Sequence, residues 1–374
     1  MVTDFLIIGG GIAGASAGYF LAERGRVTLL EREDALGYHS TGRSAALYTE
    51  TYGNAAIRAL TIASGPFFRS PPPGFAEHPL LTPRGVIVAA PAGAEARFQA
   101  ALAEARRHGP TIRVLTPDEA RALCPVLRTD WLAFAFHEPD AMDMDVHAIH
   151  QGYLRGLRSR GGEVVTSAEV SALQRRNGVW EVETRAGRHR APIVINAAGA
   201  WADEIARLAG VRPIGLVPKR RTAFVIELPA GTIGPWPLTV DVDETLYFRP
   251  EAGHLLVSPA DETPVPPCDV QPEEIDVALA AERLETRTTL KVSRIVRRWA
   301  GLRSFVRDKT PVVGHASEAP GFVWLAGQGG YGIQTSAAMG RSAAALATGD
   351  ELPRDLTARG LKAADLLPDR LYTA

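Results

Sequence analysis

The sequence predicts an α/β protein of roughly two domains, one on a mostly parallel sheet and one on an antiparallel sheet. Three observations carry this. A short apolar strand, a glycine turn, a helix and a second strand follow one another within residues 5–31. The order of buried strand, glycine turn and helix returns after residue 196 and again after residue 327. Between these returns lie proline-rich crossings and alternating strands that do not continue the βαβ pattern.

In the opening unit, Phe5–Ile8 is an apolar run suited to a strand buried on both faces. Gly9, Gly11 and Gly14 then give GxGxxG, with Ile12 and Ala13 at the start of a helix. Gly9 permits the tight turn, Gly11 lets a pyrophosphate approach the backbone, and Gly14 lets helix pack on strand. Free N–H groups at the helix start face the phosphates. Val27–Leu30 is the second strand. Glu31, 17 residues beyond Gly14, can hydrogen-bond an adenosine ribose, which favours an unphosphorylated dinucleotide. The uncharged run 5–22 is not expected to be a membrane span or a signal peptide. Five glycines interrupt it, Asp4 precedes it, and no small-residue cleavage site follows.

Lys and Arg total 41 against 42 Asp and Glu, so no net field recruits nucleic acid or an anionic membrane. The two cysteines, Cys124 and Cys268, each stand beside a proline and give no disulfide or metal framework. A reducing, cytoplasmic setting is the expectation.

A long polar loop follows Glu31. Its ERE at 31–33 and STGRSAA at 40–46 resemble the flavin amine oxidoreductases of the D-amino-acid oxidase superfamily, most closely the D-arginine dehydrogenases. The resemblance spans nearly the whole chain. It implies non-covalent FAD as cofactor and a Rossmann-like FAD-binding domain of the glutathione-reductase type. It also implies an α+β substrate domain on an antiparallel sheet. It places Arg32 with the nucleotide and Thr41, Gly42, Arg43, Ser44 and Ala46 along the flavin ring. His39 reads as a loop donor.

Further along, residues 71–83 are proline-rich and cross to a strand at 85–90. Residues 94–107 read as a helix, Pro117–Leu123 as another capped by Thr116, and 131–136 as a strand. Asp143, Asp145, His147 and His150 suggest a metal cluster. Asp145 is better read as the N-cap of a helix over Val146–Ser159, and the histidines lack the i, i+4 pairing of helical zinc sites. Strands follow, with Asn177-Gly178 as a hairpin turn, and then Ile193–Asn196. The turn after Asn196 resembles the family's second flavin-facing crossing, which implicates Ala198, Gly199 and Trp201. The family's backbone contact to adenine falls on Val170.

Residues 218–226, 245–249 and 254–258 should build the antiparallel sheet, with a helix over 272–289 after a proline-rich linker. The chain returns through 299–305, 310–315 and Phe322–Ala326 to a glycine loop at 327–334 that opens a helix near Thr335. These returns assign 1–80, 142–216 and 300–374 to the FAD-binding domain and 81–141 and 217–299 to the substrate domain.

In the glycine loop, Gly329, Gly330, Tyr331, Gly332, Ile333 and Gln334 aim N–H groups and a helix dipole at one point. In the family that point is the pyrimidine end of the flavin, with Gly301 nearby. Arg303 resembles the family's carboxylate clamp, a planar fork for an amino acid's carboxylate, and Arg221 a second polar wall. Tyr52 and Tyr247 match pocket tyrosines.

No side-chain base is required once the amine is deprotonated, so no histidine is nominated. Leu47 and Val86 depart from the D-arginine dehydrogenase pattern, where a histidine and a guanidinium-binding glutamate are expected. Their loss predicts a D-amino acid with a neutral, apolar side chain as substrate. The expected reaction is oxidative deamination to an imine and then a 2-oxo acid, with a quinone, a dye-like carrier or oxygen as electron acceptor. Alternatives are an oxygen-using D-amino-acid, glycine or secondary-amine oxidase, a flavin 2-hydroxy-acid dehydrogenase, and a non-catalytic nucleotide-binding module.

Overall fold

The computed structural model describes residues 3–108 and 111–372. Its centre is a six-stranded sheet in the order 312–315, 322–326, 193–196, 5–8, 27–30, 163–165, parallel except at the first strand. Every residue of Phe5–Ile8, Val27–Leu30 and Phe322–Ala326 is buried. Both faces of the sheet are therefore covered, as the unbroken apolar runs require.

On one face pack the opening helix Ile12–Leu21 and the C-terminal helix Ser336–Ala347. These two helices meet at glycine. A Cβ on Gly340 would stand 2.9 Å from the Ser16 carbonyl oxygen, so no larger residue allows this crossing. The other face is covered by the helix Ala202–Leu208 and a three-stranded antiparallel sheet over Val170–Arg176, Val179–Thr184 and Gly187–Ala191. The expected hairpin turn is there, with Asn177 and Gly178 both at positive φ.

The second large sheet has eight strands in the order 295–305, 217–226, 254–258, 247–251, 238–241, 86–90, 134–138, 113–115. It is antiparallel apart from the pairing of Leu238–Asp241 with Val86–Ala90. Helices Pro117–Leu123 and Glu274–Arg287 cover its outer face. Thr116 caps the first of these in a full capping box. Asp145 caps Val146–Ser159 by accepting from the Ala148 N–H at 2.8 Å.

Several strand boundaries move. The strand expected over 131–136 is Phe134–Glu138, because residues 129–131 form a turn before it. The strand expected from 245 begins at Tyr247, since Asp241 takes the Thr245 and Leu246 N–H groups into a turn. Leu238–Asp241 and Gly187–Ala191 had no sequence forecast, being short and bounded by weak turn signals. Ile295–Phe305 pairs along almost its whole length with Val217–Ile226 and so runs across position 300. The candidate metal residues are engaged elsewhere. Asp143 pairs with Arg84 and Arg249, and His150 Nε2 hydrogen-bonds the Gly10 carbonyl at 2.9 Å. Among the described residues no helix is long and apolar enough to cross a membrane.

Candidate active site

Both glycine-lined helix starts open onto one cavity of about 780 Å³ that also reaches the inner face of the eight-stranded sheet. At the first start, Gly9 has φ +107°, and a Cβ there would lie 2.4 Å from the Ala197 carbonyl oxygen. Only glycine accepts that backbone and that approach together. A Cβ on Gly14 would stand 1.9 Å from the Gly9 oxygen, so Gly14 seats the helix on the turn and does not itself line the cavity. At Gly11 a Cβ would meet only Thr41 Oγ1, at 3.2 Å, which leaves the turn open to a ligand.

The Glu31 carboxylate is fixed at the wall. Its oxygens accept the Gly10 N–H at 2.8 Å and the Glu33 N–H at 3.0 Å. Thr41 Oγ1 accepts the Ile12 N–H at 2.9 Å, while the Gly11 and Ala13 N–H groups have no acceptor among the described residues. Such free N–H groups at a helix start favour an anion.

Beyond Glu31 the wall continues through Arg32, Val170, Ala198, Gly199 and Trp201. The Arg32 guanidinium lies 4.9 Å from the Trp201 ring centroid, and the His39 ring 4.6 Å from it on tilted planes. His39 Nε2 pairs with Glu33 at 2.9 Å, as a loop donor should, but its Nδ1 is buried without a partner among the described residues. Gln328 Nε2, also on a wall residue, is in the same position. Orphaned buried polar atoms mark places where ligand groups belong. Together with the free N–H groups they suit a long, partly polar dinucleotide.

In the 40–46 loop, Thr41, Arg43, Ser44 and Ala46 line the cavity and Gly42 does not. Gly42 instead closes a turn, its N–H bonded to the Gly37 carbonyl at 2.7 Å. The Arg43 guanidinium points away, donating to the Val270 and Ala300 carbonyls at 3.0 and 3.1 Å and pairing with Asp269.

At the second start, Gly301, Gly329, Gly330, Tyr331, Gly332, Ile333 and Gln334 all face the cavity. A Cβ on Gly329 would collide with the Phe305 ring at 2.2 Å, and one on Gly330 would lie 2.8 Å from Arg303 Nη1. A Cβ on Gly332 would be 3.6 Å from Ile12 Cγ2, so the two starts touch. The Gln334 side chain pins the surrounding elements. It donates to Thr61 Oγ1 at 2.9 Å and accepts the Thr49 N–H at 3.4 Å.

Arg303, Arg221, Tyr52, Tyr247 and Tyr331 gather at this end. Tyr52 feels the positive charge of Arg303, and the Tyr52 and Tyr331 rings lie 5.1 Å apart. Arg221 is anchored by the Asp261 carbonyl at 2.9 Å and, at its outer edge, by Glu262 at 3.2 Å. Arg303 has no ion-pair partner among the described residues.

Desolvation works against the Arg303 charge, but the phenols of Tyr247, Tyr52 and Tyr331, together with the Glu262 carboxylate, outweigh it and raise its pKa. Burial, with Arg303 beside it, lowers that of Arg221. Burial alone would push the Tyr247 phenol up, yet Arg303, Arg221 and the Ser258 hydroxyl bring it below its ordinary value. Two guanidiniums repelling each other in a buried pocket constitute a site short of an anion.

Leu47 and Val86 lie on the wall as well. Sequence reasoning missed Glu138, which is buried on the same wall with its oxygens bonded to the Thr49 and Thr51 hydroxyls, each at 2.7 Å. The available signal was the alternation of Phe134, Phe136 and Glu138, which puts all three on one face once the strand is set two residues later.

A dinucleotide-sized cavity lined by two glycine helix starts and closed by an anion-seeking pocket defines a flavin-dependent oxidoreductase. The family model for FAD dependent oxidoreductase (DAO) matches residues 4–346, and the chain belongs to that family. FAD is therefore its cofactor. The chain is 26% identical to FAD-dependent oxidoreductase domain-containing protein 1 of Bos taurus, over 91% of this chain and 80% of that protein. It is 24% identical to mitochondrial sarcosine dehydrogenase of Mus musculus, over 91% of this chain but only 39% of that longer protein. The fold matches L-proline dehydrogenase from P. horikoshii with a TM-score of 0.83 at 22% identity, covering 99% of this chain and 98% of that one.

Proposed function

We propose that the chain oxidises the Cα–N bond of a D-amino acid, with the FAD-binding segments 1–80, 142–216 and 300–374 meeting the substrate segments 81–141 and 217–299 at the cavity. The observation that carries this is Arg303, a half-buried guanidinium without an ion-pair partner among the described residues, packed against Gly330 at the second helix start. FAD held between the Gly11 and Gly330 helix starts would supply a two-electron oxidation of the amine, whose imine product water would convert to a 2-oxo acid and ammonia. Arg303 holds the substrate carboxylate by its fork, and Arg221 adds a second positive charge. The Tyr247 and Tyr52 hydroxyls fix the carboxylate's rotation. With both ends of the substrate held, positioning contributes most of the rate and no protein base is needed. His39 is on the wall but tied to Glu33 beside Trp201, in the company of Arg32 rather than Arg303.

The test is anaerobic mixing of the holoprotein with D- and L-amino acids, sarcosine, proline and lactate while flavin absorbance is followed. Bleaching by D-amino acids supports the proposal, and bleaching by none of the amines refutes it. The likeness to sarcosine dehydrogenase favours a second reading, a secondary-amine substrate, and faster bleaching by sarcosine or proline would select it. Peroxide formation in air, compared with a dye-linked assay, separates oxidase from dehydrogenase.

A further inference from the structure

The neutral-substrate expectation rests on Val86 standing where a guanidinium-binding glutamate would be. The strand register puts a carboxylate back. Val86 pairs directly with Glu138 on the neighbouring strand, and directly opposed residues project to the same face with Cβ atoms about 5 Å apart. Both line the cavity.

Glu138 differs from the other buried acids. Glu31 and Asp203 each accept two main-chain N–H groups, and Asp241 accepts two and pairs with Arg287. These are fastenings. Glu138 has only the hydroxyls of Thr49 and Thr51, no main-chain donor, and no Lys, Arg or His partner among the described residues. Two hydroxyls fill half of a carboxylate's roughly four acceptor positions and cancel none of its charge. Burial accordingly pushes its carboxyl above the ordinary range against both hydroxyl bonds. A buried carboxylate facing a ligand cavity without a counter-charge calls for a cation from the ligand.

The position suits the far end of the substrate. In the sheet, Tyr247 pairs with Val240, Val240 with Val88, and Val88 with Phe136, one row from Glu138. Three strand spacings of about 4.8 Å separate the Tyr247 and Glu138 strands, roughly 14 Å across the sheet, with a further two-residue step of about 7 Å along it. Both side chains line the one cavity, where a long substrate side chain can extend between them. The intervening floor is apolar, made by Leu47, Val86, Val88, Leu238 and Val240. Such a floor suits the methylene stem of a long cationic side chain.

We propose that Glu138 is the specificity-determining residue of this pocket, receiving the ammonium or guanidinium of an amino acid whose carboxylate lies on Arg303. This rests on the amine-oxidation reading above.

The experiment compares kcat/KM of the holoenzyme for D-arginine and D-lysine with that for D-leucine and D-methionine, in the parent, Glu138→Gln and Glu138→Asp. The expected result is a parent preference for the cationic substrates. Their kcat/KM relative to D-leucine should fall about 30-fold or more in Glu138→Gln. Most of the fall should appear in KM, and Glu138→Asp, which keeps the charge, should restore part of it. A parent preference for D-leucine, or an unchanged ratio in Glu138→Gln, overturns the proposal while amine oxidation stands. Bleaching by no amino acid removes both. If Glu138→Gln does not fold, the parent's own ratio and that of Glu138→Asp decide.

Discussion

Replacing Arg303 by methionine separates binding from structure, because the two roles predict opposite changes. The guanidinium is half-buried and has no ion-pair partner among the described residues; the phenols of Tyr247, Tyr52 and Tyr331, with a smaller pull from the Glu262 carboxylate, oppose its desolvation. A buried charge without a partner is a cost to the fold, and an apolar side chain of similar length relieves it. Thermal stability of Arg303→Met should therefore hold or rise. Substrate binding should change the other way. Removing one partner of a buried, hydrogen-bonded charge pair costs about 2–5 kcal/mol, which is about 30-fold to several thousand-fold in affinity. The assay is the substrate concentration dependence of anaerobic flavin bleaching, paired with a melting curve of the same holoprotein. A lower melting temperature with substrate affinity intact would refute the reasoning, since it would make Arg303 a structural residue.

Other outcomes follow from single contacts. Gly14→Ala places a methyl 1.9 Å from the Gly9 oxygen, a backbone atom that cannot swing aside, and should cost more than about 3 kcal/mol in urea unfolding and release the flavin. Gly330→Ala meets the mobile end of Arg303 at 2.8 Å instead, so the fold should persist while KM rises. His150 is buried and its pKa is lowered by that burial, against the pull of its Gly10 bond. The unfolded chain therefore takes up a proton near pH 6.5 that the folded chain refuses. This stability contribution is complete above that pH and is lost as pH falls toward the depressed folded value, and His150→Gln should flatten the loss in urea titrations between about pH 7.5 and 5. Cys124 is fully buried with its thiol pushed up to about 11, whereas Cys268 is half-buried. A thiol reagent should therefore modify at most one cysteine before unfolding and two after it.

The cofactor side was legible because its signals are local. Gly9, Gly11 and Gly14 fall within six residues, and each meets a constraint set by the turn it belongs to. The second glycine loop was equally readable, and its side-chain burdens explain why. Gly329 must clear Phe305 and Gly330 must clear Arg303, both on the strand Ile295–Phe305, although a different strand, Phe322–Ala326, delivers the loop. Arg43 and Gln334 both line the cavity, but the outward bonds of their side chains were hidden from the sequence. Those bonds run to Asp269 and Thr61, which nothing in the local pattern connects to them.

The substrate side was less legible for a reason that bears on specificity. An eight-stranded sheet brings Arg303, Arg221, Tyr247, Val86 and Glu138 to one face from five separate strands, and the pairings that do so span up to 152 residues, as between Leu238 and Val86. Reading Val86 alone gives an apolar pocket. Reading it with its cross-strand neighbour gives a pocket with a carboxylate, because a strand pair presents two residues where the sequence presents one. Under the proposal for Glu138, the charge that selects the substrate sits on the strand facing Val86, about 5 Å from it across the pair, where a reading of Val86 alone does not find it.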